Sequence, residues 1–274
     1  MKLVLSLFPG IDLLGRGFEA EGFCVVRGPD KILGQDIHHF HVPPRKFAGI
    51  IGGSPCQDFS AARRSAPTGY GVEMLQEFLR VVGEAQPDWF LLENVARVPD
   101  VKIAGYFVQR FDLNANECGS RQSRLRHFQF GSRSGLVVTP QRTSRRVQSQ
   151  KICLATEGKR KDRRSWADFC ELQGLPRDFQ LSEFTLAAKY RAVGNGVPIQ
   201  MARVVAQAIR AARPVSHTER LCVCGCGRLV SGKKKAALPA CRKRIERAKR
   251  DARQVVTART LTASTQSQKN GAQS

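Results

Sequence analysis

The chain has 274 residues, of which 42% are hydrophobic, and a formal net charge of +22 at pH 7. That length allows one large domain or one domain with a small appendage. The charge predicts a polyanionic partner, nucleic acid ahead of an anionic membrane surface. No apolar run reaches the length needed to span a bilayer. The nine cysteines are odd in number and mostly scattered, which argues against a disulfide framework and for a reducing, cytoplasmic setting.

The first segment, "KLVLSLF", is a short apolar run ended by the breaker "PGID". It reads as a first strand rather than a secretion signal, because no cleavage site follows. "LLGRGFEAEG" has helical spacing, with Leu13, Leu14 and Phe18 on one side, and "FCVVRG" and "FAGIIGG" read as strands. "VEMLQEFLRVVGEA" carries an apolar stripe of Val72, Leu75, Phe78, Leu79 and Val82. "DWFLLENV", "YFVQRFDLNA" and "RHFQFGS" complete the strands. Strands alternating with helices predict a doubly wound, mostly parallel α/β sheet, whose ligands bind beyond the carboxyl ends of the strands.

From Arg133 to Arg164 the periodicity fails and Arg, Lys, Ser and Gln dominate. Order resumes at "SWADFCELQGLP", and "VPIQMARVVAQAIRAA" predicts a strong helix with Pro198 near its start. The expected organisation is a doubly wound α/β region over 1–132, with a small basic segment over 133–164. A closing part of the α/β domain follows over 165–213, then a Cys-rich basic tail over 214–250 and a disordered end over 251–274.

Cys56, in "GGSPCQ", stands just past an apolar run, where the chain turns outward and side chains become reachable. A thiol needs a lowered pKa to act as a nucleophile. A helix N-terminus or the nearby Arg63 and Arg64 are the groups expected to supply that shift.

Around Cys56 the chain resembles the DNA (cytosine-5)-methyltransferase family, of a compact phage or prophage type. "GGSPCQDFS" is similar to that family's Pro-Cys loop, "LLENV" to its Glu-Asn-Val motif and "RQSRLR" to its Gln-x-Arg-x-Arg motif. "VGNGV" is similar to its Gly-Asn-x-Val motif, "LFPGIDLLGRGFEAEGF" to its opening cofactor motif, and "GQDI" to its adenine-contacting position. "ELQGLP" resembles the segment before the last motif. The matches fall in the family's order over roughly 1–212.

The resemblance implies a Rossmann-like, S-adenosylmethionine-dependent methyltransferase with a small basic target-recognition lobe and a Cys-rich C-terminal tail. It implies methyl transfer to C5 of cytosine in duplex DNA, with the target base flipped out. Cys56 is the implied nucleophile on C6, and Glu93 the acid at N3. Gln122, Arg124 and Arg126 complete the catalytic set, the two arginines holding the cytosine O2 and steadying the loop. Phe8, Gly10, Ile11, Asp30, Asp36, Ile37, Pro55, Asn195 and Val197 are the implied cofactor contacts. Ser60, Arg63, Arg64, Arg145 and Arg146 are the implied DNA contacts. The short recognition region suits phosphate contacts and predicts a short or relaxed target sequence.

Three positions depart from the family pattern. Asp12 stands where a second glycine is usual, Ser6 where an acidic residue precedes the Leu-Phe pair, and Ser54 where a second proline is common. The C-terminal cluster Cys222, Cys224, Cys226 and Cys241 has the character of a structural zinc site, with His217 as a substitute ligand. Two other functions remain open on sequence: an RNA (tRNA) cytosine-5 methyltransferase, and a catalytically inactive DNA-binding relative. The implied setting is a monomer at the nucleoid of a bacterial or phage-infected cell, without membrane contact.

Overall fold

The structure, a computed structural model, describes residues 3–60, 66–143, 150–216, 219–224, 228–237, 239 and 241–247. Arg63, Arg64, Arg145, Arg146, His217 and Cys226, all singled out above, lie outside the described residues, as does 251–274. The chain divides into two compact units, Met1–Val215 and Ser216–Ser274.

The first unit is built on a six-stranded sheet in the order β2-β1-β3-β4-β6-β5. Its strands are β1 (Leu3–Leu7), β2 (Cys24–Arg27), β3 (Gly49–Gly52), β4 (Trp89–Asn94), β5 (Phe107–Asn114) and β6 (Leu125–Ser132). β1 to β4 pair in parallel, whereas β6 runs antiparallel to both β4 and β5. The central strands β3 and β4 are buried along their whole length, which explains their continuous apolar runs.

Successive residues of these strands feed two cores. On one face Val4, Ile51 and Leu91 pack with Phe18 of helix α1 (Leu13–Glu19) and with Met201, Ala202 and Val205 of helix α5 (Ile199–Arg210). A Cβ at Gly17 would lie 2.3 Å from the Ala202 Cβ, so the bare glycine lets α1 and α5 approach. On the other face Leu5, Leu7, Ile50, Phe90 and Leu92 pack with Phe78 and Val82 of helix α2 (Tyr70–Ala85). Val72, counted above in the apolar stripe of α2, is instead exposed, and Met74 and Val81 join the buried face.

Five further strands and α-helices of this unit follow β6 among the described residues. They are β7 (Leu136–Val137), α3 (Trp166–Leu172), α4 (Leu186–Asn195) and β8 (Arg213–Pro214), with α5 between the last two. The described parts of the basic segment 133–164 do not stand apart from this body. Val137, Val138, Cys153 and Glu157 are buried, and Tyr190 of α4 donates from its hydroxyl to the Arg164 carbonyl at 2.6 Å. Helix α4 was not anticipated. Its burial rests mainly on Tyr190, Val193 and Gly194, too few apolar positions to give a strong stripe.

The second unit has a two-stranded hairpin of β9 (Glu219–Leu221) and β10 (Leu229–Ser231), followed by helical residues 241–247. No described helix is long and apolar enough to cross a membrane.

Candidate active site

The order of the sheet reverses between β1 and β3, and a cavity of about 410 Å³ opens beyond their carboxyl ends. Its wall brings together Phe8, Gly10, Ile11, Asp30, Pro55, Cys56, Glu93, Arg126, Asn195 and Val197. Segments up to 189 residues apart in sequence therefore meet at one place, and its size falls within the range of ligand pockets.

The loop that leaves β1 is shaped by its own hydrogen bonds. Phe8, Gly10 and Asp12 all have positive φ, 53°, 57° and 56°. Such a conformation costs a bulky residue like Phe8 about 1–3 kcal/mol, a strain typical of ligand clamps. Asp30 holds the turn: its carboxylate accepts from the Gly10 and Ile32 amides, each at 2.8 Å. Each oxygen keeps a lone pair for a hydroxyl in the cavity.

Two of the departures from the family pattern meet in this loop. The Ser6 hydroxyl donates to Asp12 Oδ1 at 2.9 Å, and the same oxygen caps α1 by accepting from the Gly15 amide. Arg27 Nε lies 3.0 Å from Asp12 Oδ2. Burial still pushes the Asp12 carboxyl up, against the pull of Ser6, Gly15 and Arg27. Asp12 thus sets a carboxylate against the Ser6 hydroxyl.

Cys56 is held from both sides. Asn94, at the end of β4, donates from Nδ2 to the Ser54 carbonyl at 3.0 Å and to the Ser54 hydroxyl at 3.1 Å. The third departure, serine for proline, is used here. Beyond Cys56 the chain turns, with the Phe59 amide donating to the Cys56 carbonyl at 3.0 Å. Asp58 then staples the base of the loop. It accepts from the Gly71 amide at 2.7 Å and the Thr68 amide at 3.1 Å, at the start of α2, where Gly69 offers no side-chain cap. Asp58 was not singled out from the sequence. An acid two residues after the cysteine, with a helix start further on, is the signal that was there to find. Ser60 is half-buried at the edge of this loop.

Glu93 is 8% exposed and pairs with Arg126, whose Nε lies 2.8 Å from Glu93 Oε1. Burial pushes the Glu93 carboxyl up, opposed by Arg126, Arg124 and His127. A Cβ at Gly53 would stand 2.7 Å from Glu93 Oε2, so only glycine leaves that oxygen clear. The Cys56 thiol is raised as well, first by burial and then by the negative charge of Glu93, with Arg126 opposing. The lowered thiol pKa expected from the sequence is therefore corrected: the buried carboxylate and the apolar setting outweigh the described cations.

Gln122 and Arg124 do not line the cavity. Gln122, fully buried, donates to the Leu172 carbonyl and to Gln173 Oε1, both at 2.7 Å, and accepts from the Cys153 amide at 3.2 Å. Arg124 donates to the carbonyls of Cys153 at 2.8 Å, Gly194 at 2.6 Å and Gly196 at 3.2 Å. Burial and the neighbouring Arg126 press its guanidinium down to about 9. Arg124 clamps the turn that carries Asn195 and Val197 directly, and Gln122 braces it through Gln173, whose Nε2 donates to the Val193 carbonyl at 2.6 Å. Asp36 and Ile37 are also off the cavity wall. Asp36 faces His38 Nδ1 at 2.7 Å, and Ile37 is buried in the α2-side core. Lys31 and Tyr70, unremarked in the sequence, do line the cavity, with the lysine nitrogen 4.4 Å from the ring centre.

The family model for C-5 cytosine-specific DNA methylases matches residues 29–167, just over half of the chain. The chain belongs to that family. Among curated relatives, the Type II methyltransferase M.FnuDI of Fusobacterium nucleatum is 32% identical over 174 residues, 51% of this chain and 49% of that protein. The Type II methyltransferase M1.HphI of Haemophilus parahaemolyticus is 34% identical, over 49% of this chain and 47% of its own length. The chain thus spans about half the length of the curated relatives it matches. Two solved structures share the methylase fold. One is a DNA modification methyltransferase encoded within a prophage of E. coli, with TM-score 0.55 and 16% identity, covering 77% of this chain and 99% of that one. The other is the Dnmt2 methyltransferase of S. pombe, with TM-score 0.54 and 14% identity, covering 77% and 98%.

Proposed function

We propose that this protein transfers a methyl group from S-adenosylmethionine to C5 of a cytosine flipped out of duplex DNA. The observation that carries the proposal is the meeting of Cys56, Glu93 and Arg126 with Asp30, Asn195 and Val197 around one cavity.

The cofactor would occupy the side of the cavity formed by the β1 loop. Its polar groups match the donor set there: the strained turn around Gly10, the spare lone pairs of Asp30, and the backbone around Asn195. S-adenosylmethionine supplies a methyl group as an electrophile. The chain's own groups must make C5 nucleophilic and place it there.

Cys56 does this by conjugate addition. Its sulfur forms a bond to C6 of cytosine, the C5–C6 electron pair shifts toward C4, and the C4–N3 pair is taken up as N3 gains a proton. Both thiol and carboxyl are raised by burial, so the pair retains a proton. That proton passes from sulfur to Glu93 and from Glu93 to N3, and sulfur attacks as the thiolate. Arg126 keeps Glu93 aimed into the cavity. C5 then takes the methyl group, the C5 proton leaves to water, and the electron pair it releases expels Cys56. The N3 proton returns to Glu93, closing the cycle.

Flipping the base costs about a few kcal/mol of stacking and pairing. The loop that Asp58 staples would close over the extruded nucleotide, with Ser60, Arg63 and Arg64 at the phosphates. Arg145 and Arg146 would add contacts from the basic segment. The net charge of +22 supports a phosphate-rich partner.

The test is methyl incorporation from labelled S-adenosylmethionine into duplex DNA and, in parallel, into tRNA. The proposal expects label in duplex DNA, at cytosines that bisulfite sequencing then maps. Label in tRNA alone would replace it with the RNA-directed reading, and label in neither, with DNA bound, with the inactive one.

A further inference from the structure

Among its described residues the second unit has almost no apolar interior. Its buried cluster consists of Cys222, Val230 and Cys241, with Cys224, Ala236 and Ala237 packed against it. Burying one valine yields about 1.5–3 kcal/mol, whereas ordering the backbone costs about 1–2 kcal/mol for every residue fixed. A hairpin and a short helical segment around so little apolar surface need a staple of another kind.

The structure puts three thiols where that staple would sit. Cys222 follows β9, Cys224 lies in the turn after it, and Cys241 is one of the helical residues 239 and 241–247. Their sulfurs all lie within 4.8 Å of one another, and those of Cys222 and Cys224 are 3.5 Å apart. Four thiolates at about 2.3 Å around a tetrahedral zinc ion stand about 3.8 Å from each other. The observed spacing brackets that value. None of these cysteines is in a disulfide. The Ala237 amide donates to Cys222 Sγ at 3.3 Å, the kind of bond that steadies a thiolate ligand. Lys233, Lys234 and Lys235 in the hairpin segment, and Arg242, Lys243 and Arg244 beside Cys241, are exposed and offset the negative charge of a multi-thiolate centre.

We propose that Cys222, Cys224 and Cys241 bind a structural zinc ion that holds the C-terminal unit together. Zinc binding is then the folding of this unit, as in other small metal-stapled modules. The proposal rests on the second unit alone and is independent of the methyl-transfer reading.

The experiment measures metal in the full-length chain, grown with zinc and purified without chelator. Elemental analysis should find one equivalent of zinc per chain, released by a mercurial that blocks thiols. Cys222→Ser combined with Cys241→Ser should lose it, while Cys118→Ser, in the first unit, should keep it. Replacing zinc with cobalt should give the charge-transfer band of thiolate ligation. Chelation of the wild-type chain should open residues 216–247 to protease, a readout that does not depend on how the variants fold. A wild-type chain free of zinc, or a double variant that retains one equivalent and the cobalt band, would overturn the proposal.

Discussion

Replacing Arg124 with methionine separates two roles for this side chain. The resemblance to the methylase family implies a contact with cytosine O2, whereas the structure has its guanidinium on the carbonyls of Cys153, Gly194 and Gly196. Arg124→Met keeps most of the aliphatic stem and removes every donor. The two shortest bonds, 2.8 and 2.6 Å, join a charged donor to carbonyls in a buried setting. Each such bond contributes about 1.5–3 kcal/mol, so the substitution should cost about 3–6 kcal/mol. For a unit of this size that is a fall in melting temperature on the order of 10 °C. The assay is calorimetric or urea unfolding, run beside cofactor binding by titration calorimetry. Cofactor affinity should fall with stability, because the clamped turn carries Asn195 and Val197. A variant that melts with the wild type and binds cofactor normally, but has lost turnover, would refute the clamp and restore the cytosine contact.

Three further perturbations have expected outcomes. Glu93→Gln removes the proton relay and should cut methyl transfer by about 10²–10⁴-fold. In the same variant the Cys56 thiol loses a like-charged neighbour, so its pKa falls and iodoacetamide alkylates it faster at a given pH, read by mass spectrometry. Asp58→Ala removes the cap of α2 and should destabilise the chain by about 1–2 kcal/mol in urea unfolding, with turnover reduced as the base of the loop loosens. His38 bridges Asp36 and Glu73, and its pKa is raised above 6.5, first by the hydrogen bond to Asp36. The bridge's contribution is full below pH 6.5 and disappears as pH rises through the raised value. The melting-temperature difference between wild type and His38→Gln should therefore be largest in mildly acidic solution, where His38 is protonated and Asp36 is still ionised, and vanish in base.

Much of this arrangement is written locally. Apolar runs mark β1 to β4, with β-branched residues in the first three, and the polar residues that follow β3 and end β4, Pro55-Cys56 and Glu93-Asn94, are the ones the sheet delivers to its carboxyl edge. Long-range contacts are not written that way. Arg124 resembles a catalytic residue in its motif, but its partners lie 29 to 72 positions away, and only the fold decides that they are carbonyls. Asp12 and Ser6 look like two separate departures until the strand end and the helix cap meet in space. The sign of the Cys56 shift depends on how deeply the turn sits beside Glu93, a matter of burial that no neighbouring residue in the chain encodes.

The central claim is that Cys56 sulfur bonds to C6 of the target base. Duplex DNA carrying 5-fluorocytosine at the methylated position tests it most directly, because fluorine at C5 cannot leave as a proton does and the adduct persists after methyl transfer. With S-adenosylmethionine present, the wild-type chain should form a covalent complex stable to denaturing electrophoresis, and Cys56→Ser should form none. An equal yield of adduct from Cys56→Ser, or no adduct from a wild-type chain that methylates ordinary DNA, would contradict the account.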